Sequence, residues 1–378
     1  MPSVQPKSKP PKTRQHLDPR FSHVGEVFDA LIASGAEPGA AVSVWHDGKC
    51  VVDLAGGWRD NARTRPWTTH TLAMVYSTGK PVAALAALTA AKKGLLTLDD
   101  PVVRWWPEYG RQGKEGTTLR HILSHTAGVP AFSAEALKLD PLDKRALIED
   151  LAAHPAEFSP GTELAEHALT YGHLIDGLLA SAEAPTVAQA VRSLSQELEV
   201  DMWFGIPDAQ QARVADLEVI DPGWVSSYLD QDLASRALSA PIGRLDPQHV
   251  NSPESRRASF PADGLFTSAS SLAKFYADLP LVDGRLATLL GPALHAEFLA
   301  PQATGFDRFL MADASWSLGL RISNNEYGMG GIGGSCAWYS PRLNYAMAYV
   351  TRGLGGFDRA DAVADAAEDV LRTLRKAG

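Results

Sequence analysis

Apolar residues recur along the chain with two kinds of spacing, and each kind predicts one type of secondary structure. An apolar side chain every three or four residues predicts a helix, and this spacing covers residues 22–32, 81–93, 269–279 and 359–376. Short runs rich in β-branched and aromatic residues predict strands, and they cover residues 39–45, 50–55, 318–323, 335–339 and 345–351. Asp47-Gly48 separates the first two runs and predicts a hairpin turn, because both residue types accept positive φ.

The order of these elements predicts how the chain is divided. Helical patterns dominate residues 134–198, where alternating β-branched runs are few. We therefore expect a mostly helical unit over residues 96–254, inserted between the two parts of an α/β unit over residues 21–95 and 255–378. Residues 1–20 begin with lysines and an arginine among prolines, which predicts a disordered basic arm.

Composition and charge exclude several classes of function. The formal charge is −9, which argues against a nucleic-acid or anionic membrane partner. No apolar run approaches the roughly 18 residues of a membrane span, and the first residues lack a secretory apolar segment, so we expect a cytoplasmic protein. The two cysteines, Cys50 and Cys336, are too few for a metal cluster; two free thiols are favoured over a disulfide.

Ser77 and Lys80 are the first candidates for chemistry. Ser77 precedes a long Ala/Leu-rich helix pattern, and Lys80 follows three residues later, which places both side chains on one helix face. A hydroxyl beside a neutral amine can act as a nucleophile on a carbonyl, and the helix N-terminus offers N–H groups to the developing oxyanion. From these residues alone, an N-cap serine with a solvated lysine remains the alternative.

Other segments place these two residues in a wider pattern. The sequence has Tyr76-Ser77-Thr78-Gly79-Lys80, then a His-x-Leu-Ser-His-Thr-x-Gly segment over residues 121–128, Pro-Gly-Thr over 160–162, and a Gly-rich stretch over 328–335. In this order and spacing the chain resembles the serine β-lactamase-like superfamily, and in particular its class C-type branch of esterases, D-aminopeptidases and transacylases. The resemblance covers roughly residues 25–375. It implies an α/β (α+β) fold, with an antiparallel sheet flanked by helices, a mostly helical second domain and a site between them.

The resemblance also implies roles for individual residues. Ser77 would be the nucleophile, Lys80 its proton acceptor, and the N–H groups of Ser77 and Ile332 the oxyanion hole. His121 and His125 lie in a segment that is structural in the family. Residues expected to contact the substrate are Tyr76, Tyr171, Met329, Gly330 and Gly331. The chemistry requires no metal and no organic cofactor.

Glu166 is the first departure from the family pattern, which places a tyrosine there as second proton-transfer group. A carboxylate is normally charged at neutral pH, whereas a phenol is neutral, so Glu166 would favour the ammonium form of Lys80. Lys80 is then a poor base unless Glu166 itself accepts the proton. Glu166 is therefore interpreted as the proton relay, or as a group that positions an incoming amine. In the alternative Glu166 turns away, and Tyr171 fills the role or no residue does.

Met329 is the second departure, because related enzymes often place Lys, His or Trp there. A thioether offers an apolar surface and cannot engage a substrate carboxylate, so we expect weak or absent β-lactamase activity. The sequence predicts a serine acyl-enzyme catalyst, a carboxylesterase or a transacylase that uses a small-molecule ester and passes the acyl group to water, an alcohol or an amine. Ester-to-amide exchange in secondary metabolism is one such form. A non-catalytic binding or sensor protein is the alternative, and the oligomeric state stays open.

Several further residues are candidates for the walls of a pocket, although aromatic residues more often belong to the core. Asp263 and Ser335 lie in segments expected near the cleft. The aromatic candidates are Trp105, Trp106, Trp203, Trp224, Trp316, Trp338 and Tyr339.

Overall fold

The computed structural model describes residues 10–377 and builds them around one large antiparallel sheet. Its order is β1-β3-β2-β13-β12-β11-β10-β9-β8, with every neighbouring pair antiparallel. The strands of this sheet are β1 (Lys12–Leu17), β2 (Gly39–His46), β3 (Lys49–Gly57), β8 (Ala303–Asp307), β9 (Ala312–Trp316), β10 (Arg321–Ser323), β11 (Glu326–Gly330), β12 (Cys336–Ser340) and β13 (Tyr345–Thr351). The remaining strands are short: β4 (Ala73–Met74), β5 (Met202–Phe204), β6 (Glu218–Val219), β7 (Leu265–Thr267) and β14 (Gly353–Leu354).

The helices follow the expected stripes closely. Four helices were predicted, over residues 22–32, 81–93, 269–279 and 359–376. They correspond to α1, α2, α12 and α15, so these four predictions are confirmed. The helices are α1 (Ser22–Ser34), α2 (Lys80–Lys92), α3 (Leu119–Leu123), α4 (Lys144–Ala153), α5 (Thr170–Ser181), α6 (Val187–Glu197), α7 (Asp208–Gln211), α8 (Ser226–Leu229), α9 (Asp232–Ser239), α10 (Pro247–Val250), α11 (Pro253–Arg257), α12 (Ala269–Asp278), α13 (Arg285–Leu290), α14 (Pro292–Leu299) and α15 (Asp358–Ala377).

The central strands of the sheet are buried on both faces, because helices cover each side. On β13, Tyr345, Met347 and Tyr349 join the apolar cluster that contains residues of α1 and α15. The alternate residues Ala346, Ala348 and Val350 face the other cluster, where α12 packs. Side chains alternate between faces along a strand, so two covered faces explain the continuous apolar run of β13. The fold class expected from the sequence, an antiparallel sheet flanked by helices, is confirmed.

The N-terminal strand corrects one prediction. The disordered basic arm was expected over residues 1–20, but β1 pairs with β3 at the edge of the sheet. Lys12 and Arg14 form salt bridges with Asp29 of α1, at 3.0 and 2.7 Å. Backbone pairing and these two salt bridges hold the polar segment in place. Its composition alone does not show that these contacts form. The part of the prediction that falls on residues 1–9 lies outside the described residues.

The sequence pattern does not predict strands β8 and β9, and it places the start of β10 too early. The runs of β8 and β9 are small and polar, Ala-Thr-Gly-Phe-Asp and Ala-Asp-Ala-Ser-Trp, so they lack the β-branched pattern of a strand. The strand expected over residues 318–323 is shorter and begins at Arg321. Between residues 96 and 254 the structure has helices α3 to α11 and only the short strands β5 and β6. The domain boundaries themselves stay a prediction.

The thiols and the helices bear on two further expectations. Cys50 and Cys336 are free, as predicted. Burial is the main cause that raises the pKa of Cys50 to about 11 and that of Cys336 to about 12. Within residues 10–377, no helix combines the length and the apolar character that crossing a membrane requires.

Candidate active site

Ser77 lies in a tight turn that leads directly into α2. Residues Tyr76–Gly79 form a 3-10 turn, and Lys80 is the first residue of the helix that follows. Tyr76 has a positive φ of 49°, a strained conformation that persists where surrounding structure holds it. Its buried phenol donates a hydrogen bond to the carbonyl oxygen of Arg244 at 3.2 Å. The turn thereby presents the Ser77 side chain to a cavity, while Tyr76 anchors the turn from the other side.

Lys80 is buried and contacts the Ser77 hydroxyl. Its Nζ donates hydrogen bonds to Ser77 Oγ at 2.5 Å and to Glu166 Oε1 at 2.9 Å. The Lys80 side chain has no solvent exposure and that of Glu166 has 7%. The alternative of a solvated lysine beside an N-cap serine is therefore wrong, since the amine is buried and Ser77 makes no cap hydrogen bond.

Glu166 is held in place through its backbone. Its N–H donates to Asp307 Oδ1 at 3.1 Å, and the same carboxylate accepts from Trp316 Nε1 at 3.1 Å. Asp307 also accepts the backbone N–H groups of Phe309 and Leu310. This buried carboxylate fixes the segment between α4 and α5 against β8 and β9. The structure thus brings Ser77, Lys80 and Glu166 into one hydrogen-bonded chain.

Tyr171 does not reach this chain of contacts. It lies in the first turn of α5, fully buried, with its ring 4.9 Å from that of His125. Its hydroxyl has no hydrogen-bond partner among the described residues, and it does not line the cavity beside Ser77. The expectation that Tyr171 contacts substrate is wrong, because the helical phase of α5 turns the phenol toward the core at Gly319.

The backbone N–H groups of Ser77 and Ile332 belong to residues that line the cavity. The N–H of Thr78 donates to Val75 O at 3.3 Å and is the first N–H of the turn with an acceptor inside the turn. The N–H of Ser77, one residue earlier, therefore has no acceptor within the turn. Ile332 follows β11 and lines the cavity, and its N–H bonds no acceptor within residues 10–377. These are the two groups that the sequence resemblance assigned to the oxyanion hole.

Gly331 supports the site from behind and does not line the cavity. A Cβ at this position would lie 2.1 Å from Val75 O and 2.9 Å from Thr78 Oγ1. Thr78 Oγ1 in turn donates to Ser335 O at 3.0 Å. Only a glycine allows the strand end to approach the nucleophile turn this closely. The prediction that Gly331 contacts substrate is therefore corrected: it permits the approach that positions Ile332.

The cavity beside Ser77 has a volume of about 110 Å³ and mostly apolar walls. Of the predicted substrate contacts, Tyr76, Met329 and Gly330 line it, and Met329 packs against Leu164 and Trp316. Of the aromatic candidates only Trp316 lines it; Asp263 does, whereas Ser335 does not. The other walls are Ala168, Leu169, Leu238, Leu245, Phe309, Leu310, Ile332 and Phe357.

Arg321 and Tyr228 also line the cavity, and sequence reasoning did not single them out. Arg321 begins β10, and Tyr228 lies in the short helix α8 within a proline-rich stretch. Nothing in the local pattern marks either residue, because the folding of distant segments brings them to the cavity. Their presence means that the cavity does contain a cation, although not at the position of Met329.

His121 and His125, the two histidines of the 121–128 segment, form hydrogen bonds that stabilise the fold. His121 caps α3: its Nδ1 accepts from Thr118 N at 3.2 Å. His125 is fully buried, and its Nδ1 accepts from His167 N at 3.1 Å. Burial, together with the charges of His167 and Lys80, lowers the pKa of His125 well below its usual value. Both histidines therefore support the protein around the site and do not line the cavity.

The chain is similar to known proteins over most of its length. Residues 24–371 match the family model described as Beta-lactamase. The chain belongs to the beta-lactamase family. It is 31% identical over 367 residues to the Esterase/beta-lactamase LipL of Mycobacterium tuberculosis, covering 88% of this chain and 81% of that protein. It is thus an enzyme of the serine hydrolase and acyltransferase type found in this beta-lactamase-like superfamily.

Two solved structures extend the similarity to the fold. A penicillin-binding protein homolog from Caulobacter crescentus superposes with a TM-score of 0.80 at 30% identity, covering 95% of this chain and all of that one. A family VIII carboxylesterase gives a TM-score of 0.80 at 25% identity, with the same coverage. The beta-lactamase fold therefore extends over nearly the whole chain.

Proposed function

We propose that the protein is a carboxylesterase or transacylase that forms an acyl-enzyme on Ser77 with a small-molecule ester. The observation that carries this proposal is the 2.5 Å contact between Lys80 Nζ and Ser77 Oγ beside a cavity with apolar walls. A hydroxyl in contact with a buried amine is the arrangement of an activated nucleophile. Relatives named as esterases support an ester as the acyl donor.

Glu166 completes the proton path in this proposal. Lys80 donates to both Ser77 and Glu166, and an ammonium in that state has no lone pair to accept the serine proton. Transfer of one proton from Lys80 to Glu166, along the 2.9 Å hydrogen bond between them, leaves a neutral amine and a neutral carboxylic acid. The amine then takes the Ser77 proton as Oγ attacks the ester carbonyl.

The N–H groups of Ser77 and Ile332 stabilise the negative oxygen that forms in this attack. When the tetrahedral intermediate collapses, the bond to the alcohol breaks and the Lys80–Glu166 pair returns a proton to the leaving oxygen. The acyl group stays on Ser77 Oγ. Donors fixed in advance at the developing charge contribute to the rate because they need no rearrangement during the reaction.

Deacylation decides between hydrolysis and acyl transfer. Water, an alcohol or an amine can attack the acyl-enzyme, with the same pair removing its proton. Apolar walls such as Phe309, Met329 and Phe357 disfavour ordered water. This supports an alcohol or an amine as the acceptor, in addition to water. With an amine acceptor, Glu166 would in this proposal also orient the incoming amine. We expect no nucleic-acid or membrane partner, in line with the charge of −9.

The proposal is tested by trapping the acyl-enzyme. Incubation with a fluorophosphonate or with p-nitrophenyl acetate, followed by intact mass, should give one adduct that Ser77→Ala abolishes. Product analysis with an activated ester, with and without added amines, then separates hydrolysis from transfer. A wild-type protein without an adduct, or an adduct that persists in Ser77→Ala, would overturn the proposal and favour a non-catalytic binding protein.

A further inference from the structure

Three charged side chains line the cavity beside Ser77, and one of them is unpaired. Glu166 bonds to Lys80 at 2.9 Å, and Asp263 bonds to Arg244 Nε at 2.8 Å. Arg321 forms no salt bridge within residues 10–377, and its buried Nε has no hydrogen-bond partner there. Each of these two acid–base pairs has a net charge of zero. The net charge beside the cavity is therefore the single positive charge of Arg321.

Arg321 is half-buried, and its buried Nε–H loses hydration without gaining a hydrogen-bond acceptor. An anionic group on a ligand would supply that partner, and the planar fork of arginine matches a carboxylate with two parallel hydrogen bonds. The backbone of Arg321 is fixed, because β10 pairs it with Trp316 of β9 on one side and Gly328 of β11 on the other. The strand therefore presents the cation at a defined place in the cavity.

Tyr228 adds a neutral donor beside this cation. It lines the same cavity, with its ring stacked on Phe309 at 6.0 Å between centroids. Burial and the Glu166 carboxylate raise the pKa of Tyr228, while the charge of Arg321 lowers it, with a net increase. The phenol is therefore protonated at neutral pH and able to donate a hydrogen bond.

We propose that Arg321, with Tyr228 as a second donor, binds a carboxylate carried by the acyl donor. This inference rests on the proposed function and adds the substrate class: a compact ester with an anionic group. The inner part of the cavity has a volume of about 110 Å³, which favours a short group between ester and carboxylate, whereas an aryl leaving group can extend through the open mouth of the cavity. Met329 provides no cation, and Arg321 provides one from a different strand.

Matched pairs of esters test the inference. Monomethyl succinate carries a carboxylate on the acyl half, and methyl 4-oxopentanoate is its neutral counterpart of the same shape. Acetoxyacetate and acetoxyacetone form the equivalent pair with the charge on the alcohol half. The readout is the ratio of kcat/KM within each pair, because a general loss of activity cancels in that ratio.

Wild type should prefer the charged member of one pair by about tenfold to a hundredfold, the range of a charged hydrogen bond. Arg321→Met should reduce that ratio to about one, and Arg321→Lys should retain part of it. Arg104→Met, at an exposed arginine paired with Asp100, should leave the ratio unchanged. The pair that responds shows which half of the ester carries the charge. Ratios that are equal in wild type and Arg321→Met for both pairs would overturn the inference.

Binding without turnover separates this inference from the proposed function. Ser77→Ala should bind the charged ester at least tenfold more tightly than the neutral one in calorimetry, and Ser77→Ala/Arg321→Met should lose this difference. If wild type is never acylated while Ser77→Ala still selects the charged ester, the proposed function fails and the anion site stands. If wild type is acylated and neither variant selects the charged ester, the anion site fails alone.

Discussion

Lys80 Nζ lies 2.9 Å from Glu166 Oε1, and Glu166 stands at the position where the family pattern that this sequence resembles has a tyrosine. A phenol gives up a proton near pH 10, whereas a carboxyl group is ionised above about pH 4. The substitution therefore adds a negative charge to the proton path. Lys80 Nζ is hydrogen-bonded to both Ser77 Oγ and Glu166 Oε1, so Lys80 and Glu166 are expected to act together.

Replacing Glu166 by glutamine tests this unit. The glutamine oxygen can still accept a hydrogen bond from Lys80, but the amide cannot take up a proton. If Glu166 relays the proton, Glu166→Gln should lower kcat for p-nitrophenyl acetate by about 10²–10⁴-fold, the usual contribution of general acid–base catalysis. Steady-state rates, together with thermal unfolding of the variant to show that it is folded, give the answer.

Tyr171→Phe is the matched control. The Tyr171 hydroxyl lies in the core without a partner among the described residues, so its removal should change kcat by less than about threefold. A nearly active Glu166→Gln beside an inactive Tyr171→Phe would reject the relay and return the role to the tyrosine.

Gly331 gives a second prediction, based on space. An alanine Cβ there would lie 2.1 Å from Val75 O, which is backbone and cannot move aside cheaply. The strand end must shift, and the Ile332 N–H with it; a displacement of about 1 Å can cost on the order of 100-fold in rate. We expect Gly331→Ala to lower kcat/KM by at least about that factor, measured with p-nitrophenyl acetate.

Gly330→Ala is its neighbour and comparison. A Cβ at residue 330 would first meet Phe357 Cζ at 3.1 Å, the far end of a side chain that can give way. This variant should keep at least about a third of wild-type kcat/KM. Equal losses at both glycines would show that close approach of the strand end is not what Gly331 provides.

The sequence predicts the framework and part of the site for identifiable reasons. Periodicity is strong in α1, α2, α12 and α15, and these helices were predicted nearly to their ends. Strands β8 and β9 were missed because small polar residues leave no such pattern. The arm prediction was wrong at β1 because its backbone partners lie in β3, about 35 to 45 residues further along the chain.

For the site, local motifs predicted more than distant contacts. Ser77, Lys80 and Ile332 lie in short segments whose geometry follows from a turn or a strand end. Tyr171 was misplaced since one helical step decides whether a side chain faces the cavity or the core. Arg321 was missed because its role depends on which other charges are already paired, and only the folded chain shows that.

A penicillin should be a poor substrate. Met329 is 6% exposed and apolar, so β11 offers no cation to the carboxylate beside the β-lactam ring, and the cavity's cation, Arg321, lies on a different strand, β10. We expect kcat/KM for benzylpenicillin to be at least about 100-fold below that for p-nitrophenyl acetate. Turnover of the two substrates at similar rates would contradict this prediction.

Asp53 gives a prediction about stability and pH. Burial raises the pKa of this β3 carboxyl to about 6, although His70 and His16 act against it. Since the folded pKa exceeds the unfolded one, the charge costs stability as pH rises from about 4 to about 6. Asp53→Asn should therefore be about 1–2 kcal/mol more stable than wild type at pH 7 and similar to it at pH 3.5. Urea unfolding at both values measures this.

Asp60→Asn should behave in the opposite way. Burial alone would raise the pKa of Asp60, but hydrogen bonds from Thr64 and Arg65 outweigh it and lower the pKa. The ionised form thus stabilises the fold above the unfolded pKa, and Asp60→Asn should lose stability at pH 7 and less at pH 3. If both variants shift in the same direction, the hydrogen bonds from Thr64 and Arg65 are not what distinguishes Asp60 from Asp53.

The high thiol pKa values have a practical consequence for labelling. With pKa values of about 11 and 12, Cys50 and Cys336 are almost entirely uncharged at pH 7.5, and an uncharged thiol is a weak nucleophile. Electrophilic reagents that modify serines will therefore meet little competition from sulfur in the native protein. A mass increase after such a reagent can be assigned by peptide mapping without first replacing either cysteine.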